Sequence, residues 1–247
     1  MNVNLTIALI IVIGFLSSTL LSYNTYSNII NDDIRNISKL TSTNIYAEIN
    51  NELTKPIFVS LTMANDNFLK NWLLHEKKSS SKDYEKAVQD YLMGLKNKYN
   101  YNSVFLVSEK TKSYYYYDGL LKTVSKNNEH DKWYYNFVES NQLYDLDVDQ
   151  DEADSNMLTI FVNCRIEDSD GTLLGVVGVG VEVNQLQSLL HRFEKNFDLE
   201  AFLVDPSGLV QVHTDISKIE HDNVFGQSSL EPFKEKIISN RTALVTC

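Results

Sequence analysis

Met157 to Ile166 reads MLTIFVNCRI, Asp168-Ser169-Asp170-Gly171 follows, and Leu173 to Val183 reads LLGVVGVGVEV. Two apolar runs rich in Val, Ile and Thr, parted by a short Asp/Ser/Gly segment, are two strands and a turn. The glycines Gly175, Gly178 and Gly180 imitate a phosphate-binding loop, but their order is reversed and no helix begins among them. They read as strand positions where a neighbouring backbone or a ligand comes close.

The pattern continues on both sides. Downstream, Asn184 to Phe197 is helical, with Leu186, Leu189, Leu190 and Phe193 on one face. Strand chemistry then restarts at Ala201-Phe202-Leu203-Val204, turns at Asp205-Pro206-Ser207-Gly208 and resumes at Leu209–His213. Upstream, Val104–Val107 and the aromatic run Ser113–Tyr117 are strands. Phe105-Leu106-Val107 and Phe202-Leu203-Val204 each follow a helix and open a hairpin, a weak internal repeat that predicts two α+β modules in tandem. Fewer than 50 residues follow Asp198, and Leu244–Cys247 reads as an interrupted strand. The second module is therefore expected to be incomplete and the chain a fragment.

The N-terminal part is helical. No Lys, Arg, Asp or Glu occurs before Asp32, and Leu5–Leu21 (LTIALIIVIGFLSSTLL) is apolar apart from small hydroxyl residues and one Gly. About 20 such residues, roughly 30 Å of helix, cross a bilayer core. The alternative is a secretory signal peptide, with Ser17-Ser18-Thr19 imitating a cleavage site. The uncleaved anchor is the expectation, because a helical pattern follows without a break. Ile30, Ile34, Ile37, Thr41, Ile45, Ile49 and Leu53 recur at steps of three or four, an amphipathic stripe able to pair two copies of the chain. Pro56 is expected to kink or end this helix. A second helix is predicted over Ile57–His75, a polar loop over Glu76–Lys82, and a third helix over Asp83–Tyr99.

Composition narrows the chemistry. The chain has 247 residues, 43% hydrophobic and 22% charged, which excludes a disordered or low-complexity protein. Its formal net charge of −11 disfavours nucleic acid as a partner, and no basic patch is visible. The cysteines are Cys164 and Cys247. They form no metal-ligand spacing, and a free, buried Cys164 is expected, with a Cys164–Cys247 bridge as the alternative. There is no GxSxG, HExxH, P-loop or CxxC, and the five histidines are scattered, so no cofactor, metal or catalytic residue is assigned.

Two features point to binding. Tyr144–Glu152 (YDLDVDQDE) alternates carboxylates with other residues, as a strand with one anionic face would. It is not an EF-hand, because Gln150 and Asn156, or Glu152 and Leu158, stand where Gly and Glu are required. An edge strand protected by charge explains the run; so does a cation subsite. Near it are Tyr114–Tyr117, Trp133, Tyr134, Tyr135 and Phe137. Core packing accounts for some of these rings, while others suit a cavity wall, where an organic ammonium group gains about 0.5–2 kcal/mol per ring face.

The order of anchor, long helix, Phe-Leu-Val strand, Tyr-rich strand, Asp131-Lys132-Trp133-Tyr134 and Gly178-Val-Gly180-Val-Glu182 resembles a double Cache sensor domain. Such domains are paired PAS-like modules outside the membrane in bacterial chemoreceptors, histidine kinases and diguanylate cyclases. The resemblance implies an α+β fold with an N-terminal transmembrane helix, a long stalk helix and two tandem PAS-like modules, the second truncated. Its segments would be a cytoplasmic N-terminus (1–4), a transmembrane helix (5–22), a stalk (23–98), a membrane-distal ligand-binding module (99–183), a linker helix (184–197) and a membrane-proximal module (198–247).

In amino-acid-binding members of that family, an arginine two residues before the Trp-Tyr pair clamps the ligand carboxylate. Here that position is Asp131. The acid that holds the ligand ammonium corresponds to Glu182, and the Tyr and Asp before the long strand fall near Asp147 and Asp149. The resemblance thus implies a small-molecule site of Trp133, Tyr134, Asp131, Glu182, Asp147 and Asp149, with Tyr115 or Tyr117 on its wall. Asp131 repels a carboxylate, so a cationic amine becomes the expected ligand. Binding would shift the long helix of a homodimer in the bacterial inner membrane and signal to a cytoplasmic output such as a kinase, a diguanylate cyclase or a chemotaxis module. The rival readings are a membrane-tethered enzyme with paired carboxylates about 5–9.5 Å apart and a structural adhesin.

Overall fold

Met157–Glu167 (β5) and Leu173–Glu182 (β6) form the antiparallel centre of the fold in the computed structural model of the chain, which describes residues 3–76, 82–153, 157–226 and 230–239. Phe161 stands opposite Gly180 and Asn163 opposite Gly178. The turn between them forms for the reason legible in its sequence. Asp168 Oδ1 accepts the N–H groups of Asp170 and Thr172, both at 2.9 Å, and Gly171 takes the φ of +80° that the reversal requires.

The sheet grows outward from this pair. Ser103–Ser108 (β1) adds antiparallel to β6, Ser113–Tyr116 (β2) to β1, and Gly119–Thr123 (β3) to β2; Tyr144–Asp151 (β4) adds to β5. Among the described residues these six strands make one sheet in the order β3-β2-β1-β6-β5-β4. Strand β3 has no counterpart in the sequence reading. Ser103–Ser108 is buried at every position, since side chains cover both faces of the sheet there.

One face carries helices. Val3–Ala64 (α1) runs into Asn67–His75 (α2), and Lys82–Tyr99 (α3) follows. Met63, Leu69, Trp72, Val88 and Leu92 pack with Leu106, Val162, Cys164, Val177 and Val179. Of the two expectations at Pro56, a kink or an end, the end is not met: α1 continues to Ala64. Packing overrides the lost backbone hydrogen bond. Beyond the proline, Ser60, Met63 and Ala64 are buried, and Ser60 Oγ accepts the Val179 N–H at 3.2 Å. The expected second helix therefore starts ten residues late, at Asn67, where Asp66 Oδ1 caps it by accepting the Phe68 N–H at 2.7 Å. Helices α2 and α3, within the span read as stalk, lie against the sheet. The polar loop 77–81 is outside the described residues.

The other face carries Lys132–Ser140 (α4), whose Tyr134 and Phe137 pack with Phe105, Val107, Tyr114, Phe161 and Val176. Gly178 and Gly180 make room beneath these rings. A Cβ on Gly178 would lie 3.0 Å from the Phe105 ring, and one on Gly180 would lie 3.1 Å from the Phe161 ring. Cys164 is free and buried, and burial pushes its thiol up to about 12. Cys247 lies outside the described residues.

Val183–Phe197 (α5) leads to a two-stranded antiparallel sheet, Phe202–Val204 (β7) with Val210–His213 (β8). Its turn repeats the chemistry of the first. Asp205 Oδ1 accepts the N–H groups of Ser207 (2.8 Å) and Leu209 (3.0 Å), and Gly208 sits at φ +94°.

The chain divides into two compact units, residues 48–228 and residues 1–47 with 229–247. The second of these contains the start of α1 and the short helix Lys234–Ser239 (α6). Leu9–Leu16 of α1 is exposed to solvent throughout, and within the described residues α1 is the one helix apolar and long enough to cross a membrane, with mean hydropathy 1.4 over its best window. The strand expected at Leu244–Cys247 falls outside the described residues.

Candidate functional site

Strand β4 lies at the sheet edge with its carboxylates alternating as its sequence requires. Asp147 is paired with Phe161 and Asp149 with Thr159, so their side chains share the face that carries Phe105 and Trp133. That face holds a cleft with about 360 Å³ of space free of protein atoms, its open mouth included. Trp133, Phe105, Tyr114 and Phe161 form the aromatic wall, while Asp147, Asp149, Asp151 and Glu152 form the acidic one. Trp133 meets Phe105 edge to face with ring centres 5.7 Å apart, and Tyr114 with centres 6.3 Å apart. His130 stands at the rim.

Electrostatics set this cleft apart. Burial, reinforced by Asp149, Asp145 and Glu220, pushes the Asp147 carboxyl from its ordinary value of 3.8 up to about 7. Burial also raises Asp149, and burial among carboxylates raises the Tyr114 phenol far above its usual range. On the floor, Asn163 is 2% exposed, and its Oδ1 has no hydrogen-bond partner among the described residues.

Of the eight residues expected at the site, Trp133, Asp147 and Asp149 line the cleft together. Tyr134 lies beneath it, fully buried, and its hydroxyl donates to Glu109 Oε2 at 2.5 Å. Asp131 is also fully buried but turns away from the cleft. Its Oδ1 pairs with Lys122 Nζ at 2.6 Å, its Oδ2 accepts the Ser125 N–H at 2.7 Å, and Lys122 bridges onward to Glu152. Glu182 sits at the end of β6, engaged by the side-chain amides of Asn102 and Asn184. Tyr115 and Tyr117 are on the helical side of the sheet. The Tyr115 hydroxyl donates to Glu76 at 3.1 Å, and Lys96 Nζ stands 4.1 Å from the centre of the Tyr117 ring. Tyr114 takes the place expected of these two.

The sequence reading missed Phe105, Phe161 and Asn163 as cleft residues. Asn163 carried a signal: it is the one amide in the apolar run Leu158–Cys164, and a polar side chain in a strand buried on both faces needs a partner. No group of three or more His, Cys, Asp or Glu side chains among the described residues is arranged to hold a metal ion.

Comparison with known proteins agrees with this architecture. A family model described as the Cache domain matches residues 22–243. The ligand-binding domain of the Pseudomonas aeruginosa PAO1 amino acid chemoreceptor PctC, in complex with GABA, is similar with a TM-score of 0.56 at 16% identity, covering 81% of this chain and 83% of that one. The ligand-binding domain of the Pseudomonas fluorescens chemoreceptor CtaA, in complex with L-isoleucine, has a TM-score of 0.57 at 16% identity, covering 81% and 78%. The sensor domain of the V. cholerae histidine kinase DctB has a TM-score of 0.57 at 12% identity, covering 83% and 75%. At these identities the likeness to each solved structure is one of fold.

Proposed function

This chain belongs to the Cache-domain family, and from that premise we propose that it is the extracytoplasmic sensor region of a membrane-bound signal-transduction receptor that binds a small, amine-containing ligand. The observation that carries the reading is the cleft itself, where Trp133 and Tyr114 face Asp147 and Asp149. Rings and carboxylates on opposite walls attract an ammonium group by cation–π contact and by ion pairing. GABA and L-isoleucine, held by the two chemoreceptor relatives, each carry such a group.

The cleft belongs to a membrane-distal PAS-like module with α2 and α3 as its helical layer. Helix α5 links it to a second module that begins with β7 and β8. The start of α1 crosses the inner membrane, and Ile30, Ile34 and Ile37, exposed along α1, pair two copies. Ligand binding shifts this packing and passes to a cytoplasmic output domain. The apolar, charge-free start of α1 predicts that the protein stays with the membrane after alkaline carbonate washing; a soluble product cleaved near Ser17–Thr19 would refute the anchor.

The test of the site is a thermal-shift screen of small amines and dicarboxylates on the full chain in detergent. Amines are expected to raise the melting temperature, since a ligand that binds only the folded state stabilises it by mass action. Trp133→Ala should weaken that binding about 3- to 30-fold, the equivalent of one cation–π contact. Dicarboxylates that bind tightly, or a Trp133→Ala variant that binds as well as the parent, would remove the cleft from the argument.

A further inference from the structure

The fold does not account for the polarity of Asn163. The residue is 2% exposed and lines the cleft, and its Oδ1 accepts no hydrogen bond among the described residues. A buried acceptor left unpaired is costly, and its neighbours show why no side chain relieves it. Across the sheet, Asn163 stands between Asp145 of β4 and Gly178 of β6. The first is an exposed acid that brings no N–H donor, and the second has no side chain. A Cβ on Gly178 would lie 3.0 Å from the Phe105 ring, so the space beside Asn163 is left unfilled. Along β5, the neighbours on the same face are Phe161, a hydrocarbon, and Arg165. Arg165 is committed elsewhere. Its Nε donates to Glu167 Oε1 at 2.8 Å, and its Nη1 donates to the Val138 carbonyl at 2.9 Å. The other cleft surfaces near this amide are the rings of Phe105 and Trp133, edge to face.

We infer that Asn163 selects the ligand by its N–H. Its Oδ1 accepts a hydrogen bond from the ligand's ammonium group, so the cleft takes a primary or secondary amine and refuses a quaternary ammonium of the same chain. Ring faces and carboxylates do not make this distinction, because cation–π contact and ion pairing need a positive charge and no hydrogen. An unpaired acceptor does make it. A trimethylated nitrogen brings no donor and leaves Oδ1 buried and unpaired, the strongest kind of discrimination a small site can exert. This inference rests on the amine-sensor reading and adds the residue that sets its specificity.

The experiment is a calorimetric titration of the full chain in detergent at pH 8, above the titration of Asp147 and below that of a primary amine, about 10.4. The probes are propylamine to hexylamine and their N,N,N-trimethylated counterparts. The primary amines are expected to bind about 10- to 100-fold tighter than the quaternary ones. Asn163→Leu, close in volume and without an acceptor, should bring the two series within about threefold; exclusion by size alone would leave the preference intact. The same variant should raise the melting temperature of the free protein by about 2–4 °C, because an unpaired polar group gives way to an apolar one. Asn163→Val, suited to a strand, repeats both measurements if leucine does not fit. Equal binding of the two series by the parent, or a preference that survives both variants, overturns the role of Asn163 while the amine cleft stands. Lower melting temperatures for both variants make the amide structural and overturn it too. Silence from every probe removes the amine reading and this inference with it.

Discussion

Gly178→Val is expected to destabilise the protein by at least about 3 kcal/mol, lowering its melting temperature by roughly 6–12 °C. Gly178 lies on β6 between Phe105 of β1 and Asn163 of β5. A Cβ there would stand 1.9 Å from the Val162 carbonyl oxygen and 3.0 Å from two Phe105 ring carbons. The first neighbour is backbone in a central strand, so relief requires the ladder to move. The second is a wall of the candidate site. Gly94→Ala is the control. Gly94 lies inside α3 with open space around its Cβ position, and alanine there should stabilise by about 0.5–1 kcal/mol through helix propensity. Thermal unfolding followed by circular dichroism separates the two. A Gly178→Val protein that melts with the parent would mean that the sheet has slack the geometry denies.

Asp147→Asn is expected to stabilise the protein at pH 8 and much less at pH 4. The folded carboxyl sits at about 7 against an ordinary 3.8, so the folded state keeps a proton that the unfolded chain releases between those values. Stability from this group is therefore full below about pH 4 and is lost as pH rises towards 7. Asparagine does not titrate and escapes the loss. The difference between the two pH values should be on the order of 2 kcal/mol, allowing for the solvent that reaches this half-buried side chain. Burial is the main cause, with Asp149, Asp145 and Glu220 adding like charge. Melting curves of both proteins across pH 4–8 provide the check. Parallel curves would show that Asp147 is solvated in the fold and would weaken the electrostatic account of the cleft.

Features set by near neighbours were legible in the chain. Asp168–Gly171 and Asp205–Gly208 are read as turns and form alike, because the carboxylate and the amides it accepts lie within four residues. The alternation of Tyr144–Glu152 placed Asp147 and Asp149 on one face of a strand, and the structure puts that face on the cleft. The helix over Asp83–Tyr99 and the one over Asn184–Phe197 follow from apolar spacing, and both form within a residue of expectation. In each case a short-range period carries the information.

Sheet pairing and packing decided the rest. A single-residue step in a strand exchanges faces, so the Tyr run admitted either set, and the register of β2 on β1 turned Tyr114 to the site and Tyr115 to the helices. Lys122 took Asp131 from the cleft because β3 brings an ammonium within 2.6 Å of it. Pro56 was overruled by burial of Ser60, Met63 and Ala64 more than a hundred residues from the strand they cover. The sequence by itself determined the two Asp-Gly turns, the helices α3 and α5, the central strands and the shared face of Asp147 and Asp149, each of which rests on a short-range pattern. Only the tertiary structure decided which acids and which rings meet, because that choice depends on strand register and on partners distant in the chain, whose approach no local period encodes.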